Sequence, residues 1–157
     1  MPPPTPAQPE HISAKSPPFL FFNYIIQFIS MSRKQILTEN APKPIPVLSQ
    51  ALVHNGIVYC SGQTGVDPAT GKLVEGDIQA RTHQVLKNLK AVVEAAGSSM
   101  DKALKVNVFI TDMANFPKVN EVYDQYFSHP KPVRTCIGVA QLPLGTDVEI
   151  EMSATLE

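Results

Sequence analysis

The residues with the most chemical potential lie near the C-terminal end, in Pro132-Val133-Arg134-Thr135-Cys136 and Val148-Glu149-Ile150-Glu151. Strict alternation sets Arg134 on one strand face with Cys136, Gly138 and Ala140, opposite Val133, Thr135, Ile137 and Val139. Small neighbours leave its guanidinium over a shallow surface, where it can grip a carboxylate through two parallel hydrogen bonds. Glu149 and Glu151 alternate with Val148, Ile150 and Met152, so both carboxylates stand away from an apolar row.

Each of these residues also has a plainer use. Arg134 could pair with Glu151 on a strand surface, and alternation does not say which glutamate is structural. A simple hairpin register sets Arg134 nearer Met152 than Glu149. Cys136 shares the arginine face but has no recognisable histidine partner, because His54, His83 and His129 fall in a turn, a helix and a loop. It reads as a small buried thiol. Ser61 precedes Gly62 at a strand end, where a hydroxyl can either tie down a turn or line a site. Asn120 lies inside a helix, where asparagine is a poor former and a hydrogen-bonding task would account for it. His11 and His83 read as solvated.

The elements that must position these groups fit one domain. The chain has 157 residues, with 13 basic against 14 acidic side chains and a formal charge of −1, so it lacks the basic footprint of a nucleic-acid binder. Its two cysteines, Cys60 and Cys136, are far apart and form no ligand-spaced cluster, which argues against zinc and for reduced thiols. Residues 1–30 differ in kind: a proline-rich opening expected to be disordered, then an apolar run of about a dozen residues, too short to span a hydrocarbon core of roughly 30 Å. They read as a disordered or targeting-like extension, or as sequence upstream of a working start at Met31. With no arginine, they suit a mitochondrial presequence poorly. The compartment expected is cytoplasmic or mitochondrial, with no membrane association.

From Met31 the pattern is that of a compact α/β domain. Residues 33–38 read as a first strand, and the loop after them carries three prolines in nine residues. Asn55-Gly56 marks a hairpin, and residues 63–76 a turn-rich connection. Gly76 to Gly97 reads as a long helix with Ile78, Val85, Leu86, Leu89, Val92, Val93 and Ala96 on one stripe and Gly97 as its stop. A strand follows with Leu104, Val106, Val108 and Ile110 on its inner face. A second helix begins near Phe116, with Val119, Val122, Tyr123, Tyr126 and Phe127 inward, and ends at His129-Pro130. The order is β-β-β-α-β-α-β-β, with both helices on one sheet face. The other face is expected to carry Lys105, Asn107, Phe109, Arg134, Glu149 and Glu151, and to be covered by another copy of the chain.

Taken together, several short segments resemble the Rid family of reactive intermediate deaminases over about residues 33–157. They are Ser49-Gln50-Ala51, Ser61-Gly62-Gln63, Asn88, Val106 to Asp112, Val119 to Tyr123, Pro132 to Cys136, Leu142-Pro143 and Val148 to Glu151. The resemblance implies a chorismate-mutase-like α/β fold, a homotrimer with sites between subunits, and hydrolysis of 2-imino acids without metal or organic cofactor. It implies Arg134 as the carboxylate grip, Glu149 as the residue that positions water, and Ser61 and Gly62 as lining. By the same match, the backbone of Cys136 faces the imine nitrogen and Asn120 is a polar residue of the cleft. One departure stands out: Leu48 replaces the tyrosine that many members carry there, removing a phenol hydroxyl.

The chemistry suits the residues. A 2-imino acid is a small anion whose carbon is electrophilic once its nitrogen is protonated, so positioning and a base suffice. The rival readings are a trimer that binds small carboxylates without turnover, and a translation-inhibiting ribonuclease. Near-neutral charge and the lack of an aromatic stripe beside basic residues count against the ribonuclease.

Overall fold

The structure, a computed structural model, describes residues 32–156; the extension expected over residues 1–30, with His11, lies outside them. Among the described residues, no helix is long and apolar enough to cross a membrane.

Asn55 and Gly56, at φ +49° and +75°, make the turn between β2 (Ala51–His54) and β3 (Ile57–Thr64). Positive φ at both central residues matches the twist of the flanking strands, as the Asn-Gly pair predicts. β1 (Lys34–Ile36) pairs with β2, shorter than the strand expected over residues 33–38. The proline-rich loop between them is held by the buried Gln50 side chain, which donates to the carbonyls of Thr38 and Pro42 and accepts from Thr38 N–H.

The connection after β3 is not merely turns. It contains a small hairpin of β4 (Val66–Asp67) and β5 (Lys72–Leu73), with Gly71 at its turn. Helix α1 (Ile78–Ala95) starts at Asp77, whose carboxylate accepts from Ala80 N–H. It ends as the sequence predicts. Gly97 N–H reaches Glu94 O (3.0 Å), Ser98 N–H reaches Val93 O (2.9 Å), and Gly97 sits at φ +87°. Val85, Leu86, Leu89, Val92 and Val93 have no solvent exposure, and each such side chain contributes about 1.5–3 kcal/mol by leaving water.

Strand β6 (Ala103–Ile110) sends Val106, Val108 and Ile110 into the core. Leu104, expected beside them, is exposed, because the register against the last strand shifts between Ala103 and Lys105. Helix α2 (Phe116–Tyr123) carries Pro117 in its first turn and stops earlier than expected, in turns that still bury Phe127. His83 is half-buried, with its Nδ1 3.1 Å from the Tyr126 hydroxyl. Two long-range strands complete the sheet: β7 (Val133–Gly138), parallel to β6, and β8 (Val148–Thr155), antiparallel to both β6 and β3. The order across the six-stranded mixed sheet is β1-β2-β3-β8-β6-β7. α1 packs on β3 and β8 and against α2.

One expectation about the sheet fails. Arg134 stands opposite Val106, and Cys136 opposite Val108, so both face the helices. Val133 and Ile137 instead take the uncovered face, at 66% and 46% exposure. Strand β7 is at the sheet edge, and its register with β6 fixes which of its two faces meets the core. Nor do β7 and β8 form a hairpin, since β6 runs between them; Arg134 lines up with Met152 across it.

Candidate active site

Helix α2 and strand β7 build the first half of the site. Phe116, Asn120 and Tyr123 follow a helical spacing of four and then three residues, so they share one stripe. Arg134 projects from the facing strand over that stripe. Its guanidinium carbon lies 4.5 Å from the Tyr123 ring centroid and 5.5 Å from that of Phe116. Among the described residues no carboxylate and no hydrogen-bond acceptor pairs with it, so its N–H donors are unspent. The Asn120 Oδ1 and the Tyr123 hydroxyl are also buried without a partner. These groups line a cleft of about 280 Å³ with Asp124, Lys131 and Pro132. Lys131 is occupied by Asp124 at 2.7 Å, which holds that carboxyl below its ordinary pKa. Among the described residues, Arg134 is the cation of the cleft that has no partner.

Edge position adds backbone donors and acceptors. Val139 N–H donates to Ile110 O (2.9 Å), so the odd-numbered residues of β7 turn their peptide groups toward β6. By the alternation of a parallel ladder, those of Arg134 and Cys136 face the open edge. The Cys136 thiol itself is a weak nucleophile. Burial pushes its pKa up, and the nearby Arg134 charge only partly offsets that.

The second half lies on the uncovered face of the sheet. Between Cys60 and Gln63 the register of β3 against β8 shifts, so Ser61 and Gly62 together oppose Glu151 in a bulge. Glu149 folds its carboxylate onto this bulge. A Cβ on Gly62 would lie 2.0 Å from Glu149 Oε1, so the absence of a side chain at 62 is what admits it. Burial, and then repulsion from Glu151, raise the Glu149 pKa above 4.5. Glu149 has no hydrogen-bond partner among the described residues. Glu151 does: its Oε1 accepts from Asn107 Nδ2 at 2.8 Å. The two glutamates left open by alternation are thereby distinguished, Glu151 being tied down and Glu149 free.

Two supports fix this half. Asp147, directly before β8, takes a two-pronged grip from Arg81 Nε and Nη2, both 2.6 Å, while Thr111 N–H donates to its carbonyl. The Ser61 hydroxyl donates to Ser49 O at 2.6 Å, so it serves first to join β3 to the segment before β2. Leu48, at 43% exposure, adjoins that joint and offers an apolar rim.

Within one chain, therefore, the predicted residues fall into two groups. Arg134, Asn120 and Cys136 lie on the helix side at the sheet edge. Glu149, Gly62 and Ser61 lie on the opposite side. The pairing of Arg134 with Glu151 that the sequence left open does not occur. Phe116 and Tyr123 were missed as site residues, Phe116 because it read only as the start of the helix and Tyr123 because it read as core; their shared stripe with Asn120 was the available signal. Among the described residues, no group of three His, Cys, Asp or Glu side chains is placed to hold a metal ion.

Comparison with known proteins bears on the family and the fold. A family model described as endoribonuclease L-PSP matches residues 38–156. The 2-iminobutanoate/2-iminopropanoate deaminase of Dermatophagoides farinae is 43% identical over 128 residues, covering 81% of this chain and 100% of its own. RidA from the Antarctic bacterium Psychrobacter has a TM-score of 0.76 at 43% identity, covering 78% of this chain and 99% of that one. E. coli TdcF with bound serine has a TM-score of 0.73 at 38% identity, covering 78% and 98%.

Proposed function

The chain belongs to the Rid family, with its chorismate-mutase-like α/β fold, and on that premise we propose that it hydrolyses 2-imino acids to 2-oxo acids and ammonia. The observation that carries the reading is an unspent arginine in a cleft and an unspent, partly desolvated glutamate against the β3 bulge. Because the two stand on opposite faces of one sheet, a working site needs Arg134 from one copy and Glu149 from a neighbour. The family resemblance supports a homotrimer, and the exposed Val133, Ile137 and Tyr59 are apolar surface for a neighbour to cover.

In this site Arg134 grips the substrate carboxylate and holds the imine carbon in register. The open backbone edge at Cys136 and the Asn120 carbonyl meet the imine nitrogen and its proton. Glu149 accepts a proton from water as the oxygen bonds to the imine carbon, giving a carbinolamine. That proton is then delivered to nitrogen, the C–N bond breaks as Glu149 takes the hydroxyl proton, and ammonia leaves with the 2-oxo acid behind. A raised pKa makes Glu149 a stronger base than an ordinary glutamate. The serine held by E. coli TdcF, a small carboxylate with an adjoining nitrogen, supports this substrate class. The family description names an endoribonuclease, but a net charge of −1 offers little to a phosphate backbone.

The test is a coupled assay in which an amino-acid oxidase generates the imine and its disappearance is followed. Faster decay with wild type, lost in Arg134→Ala, supports the reading. No acceleration by folded wild type refutes it.

A further inference from the structure

We propose that Tyr123 is a positioning residue for Arg134, its ring and not its hydroxyl fixing the guanidinium so that the N–H edge stays free for a carboxylate. The inference rests on the reading of Arg134 as the carboxylate grip and adds what holds that grip in place.

A long arginine side chain loses rotamer entropy on binding unless it is ordered beforehand. Arg134 has no acid or acceptor among the described residues to order it. Its restraints are the Tyr123 ring at 4.5 Å and the Phe116 ring at 5.5 Å, both inside the range of cation–π attraction. Of the two, Tyr123 is nearer and firmer: it is 6% exposed and is backed by Phe127, with 4.5 Å between ring centroids. An acidic partner would order the arginine equally well, but it would occupy the donors and cancel the charge. An aromatic ring attracts the cation while leaving all five N–H donors unspent. The Tyr123 hydroxyl takes no part, being buried without a partner.

Tyr123→Phe and Tyr123→Leu separate ring from hydroxyl. The full-length variants are compared in the imine assay and by calorimetric binding of 2-oxobutanoate and of its uncharged methyl ester. Tyr123→Phe should keep wild-type KM and 2-oxobutanoate affinity, and should unfold at the same or a higher temperature. Tyr123→Leu should raise KM and weaken 2-oxobutanoate about five- to thirtyfold with little change in kcat, leaving the ester unaffected. A folded Tyr123→Leu with unchanged KM and affinity overturns the proposal, as does an equal loss in Tyr123→Phe, which would give the work to the hydroxyl. If Tyr123→Leu does not fold, Phe116→Leu at the half-buried second ring must raise the same KM by a smaller factor; no rise overturns the proposal. Wild type that neither binds 2-oxobutanoate nor hydrolyses imines refutes the grip itself, and the positioning role with it.

Discussion

Adding one methyl group at position 62 should disable the site while sparing the fold. The Cβ of Gly62→Ala would stand 2.0 Å from Glu149 Oε1, 2.9 Å from its Cδ and 3.2 Å from its Cγ. Moving Oε1 out to 3.4 Å, where ordinary contact begins, is a displacement of about 1.4 Å. The atom in conflict is the far end of a flexible side chain, so the backbone need not move. Driving Glu149 off its rotamer costs about 0.5–1.5 kcal/mol, a fall in Tm of roughly 2–8 °C for a domain of this size. Catalysis tolerates less, because a misplacement of about 1 Å can cost on the order of 10²-fold. Gly62→Ala should therefore lower kcat by roughly 10- to 100-fold with KM nearly unchanged, since the carboxylate grip lies on another element. Steady-state kinetics in the coupled assay, with thermal unfolding alongside, measure both. A variant with full kcat would refute the argument that Glu149 must lie against the β3 bulge. A variant that fails to fold would refute the claim that the clash is relieved by the side chain alone.

Arg134→Lys keeps the charge but loses the two-pronged geometry, so KM should rise about 10- to 100-fold, read in the same assay. Activity should fall on the acid side as Glu149 is protonated, with a midpoint above 4.5; a pH–rate profile shows this. The raised pKa also means that the folded state binds this proton more tightly than the unfolded chain. The stability it contributes is present below the unfolded pKa and lost as pH rises through the folded one. Glu149→Gln should accordingly raise Tm at pH 7 and leave it unchanged near pH 4. Gly97→Ala, which forces a side chain to φ +87°, should cost about 1–2 kcal/mol in denaturant unfolding and leave KM alone.

Local chemistry made much of the fold legible. The α1 stripe, the Gly97 stop and the Asn55-Gly56 turn each follow from a spacing or from a residue that tolerates positive φ, and each stands where the sequence sets it. What the sequence did not disclose depends on partners distant in the chain. Alternation divides β7 into two faces without saying which meets the helices, and its more apolar face, Val133 and Ile137, turned out to be the uncovered one. The bulges at Ser61-Gly62 and at Leu104 arise from pairing with β8 and have no local signature. The site divided the same way. Residue types pointed to Arg134 and to the pair Glu149 and Glu151, between which only the family resemblance chose, and Asn120 was suspect for its place in a helix. That arginine and glutamate stand on opposite sides of one sheet needed the strand order, and the aromatic support of Arg134 needed α2 set against β7.

The division of the site between copies is tested most directly by complementation. Arg134→Ala and Glu149→Gln, each inactive alone, are mixed in equal amounts, unfolded and refolded together. If each site takes Arg134 from one copy and Glu149 from another, random assembly makes about one site in four fully wild type, and imine hydrolysis should recover to about a quarter of the wild-type rate. If both residues of a site come from the same chain, every site carries a defect and the mixture stays inactive. That result, from variants shown to assemble with each other, would contradict the account.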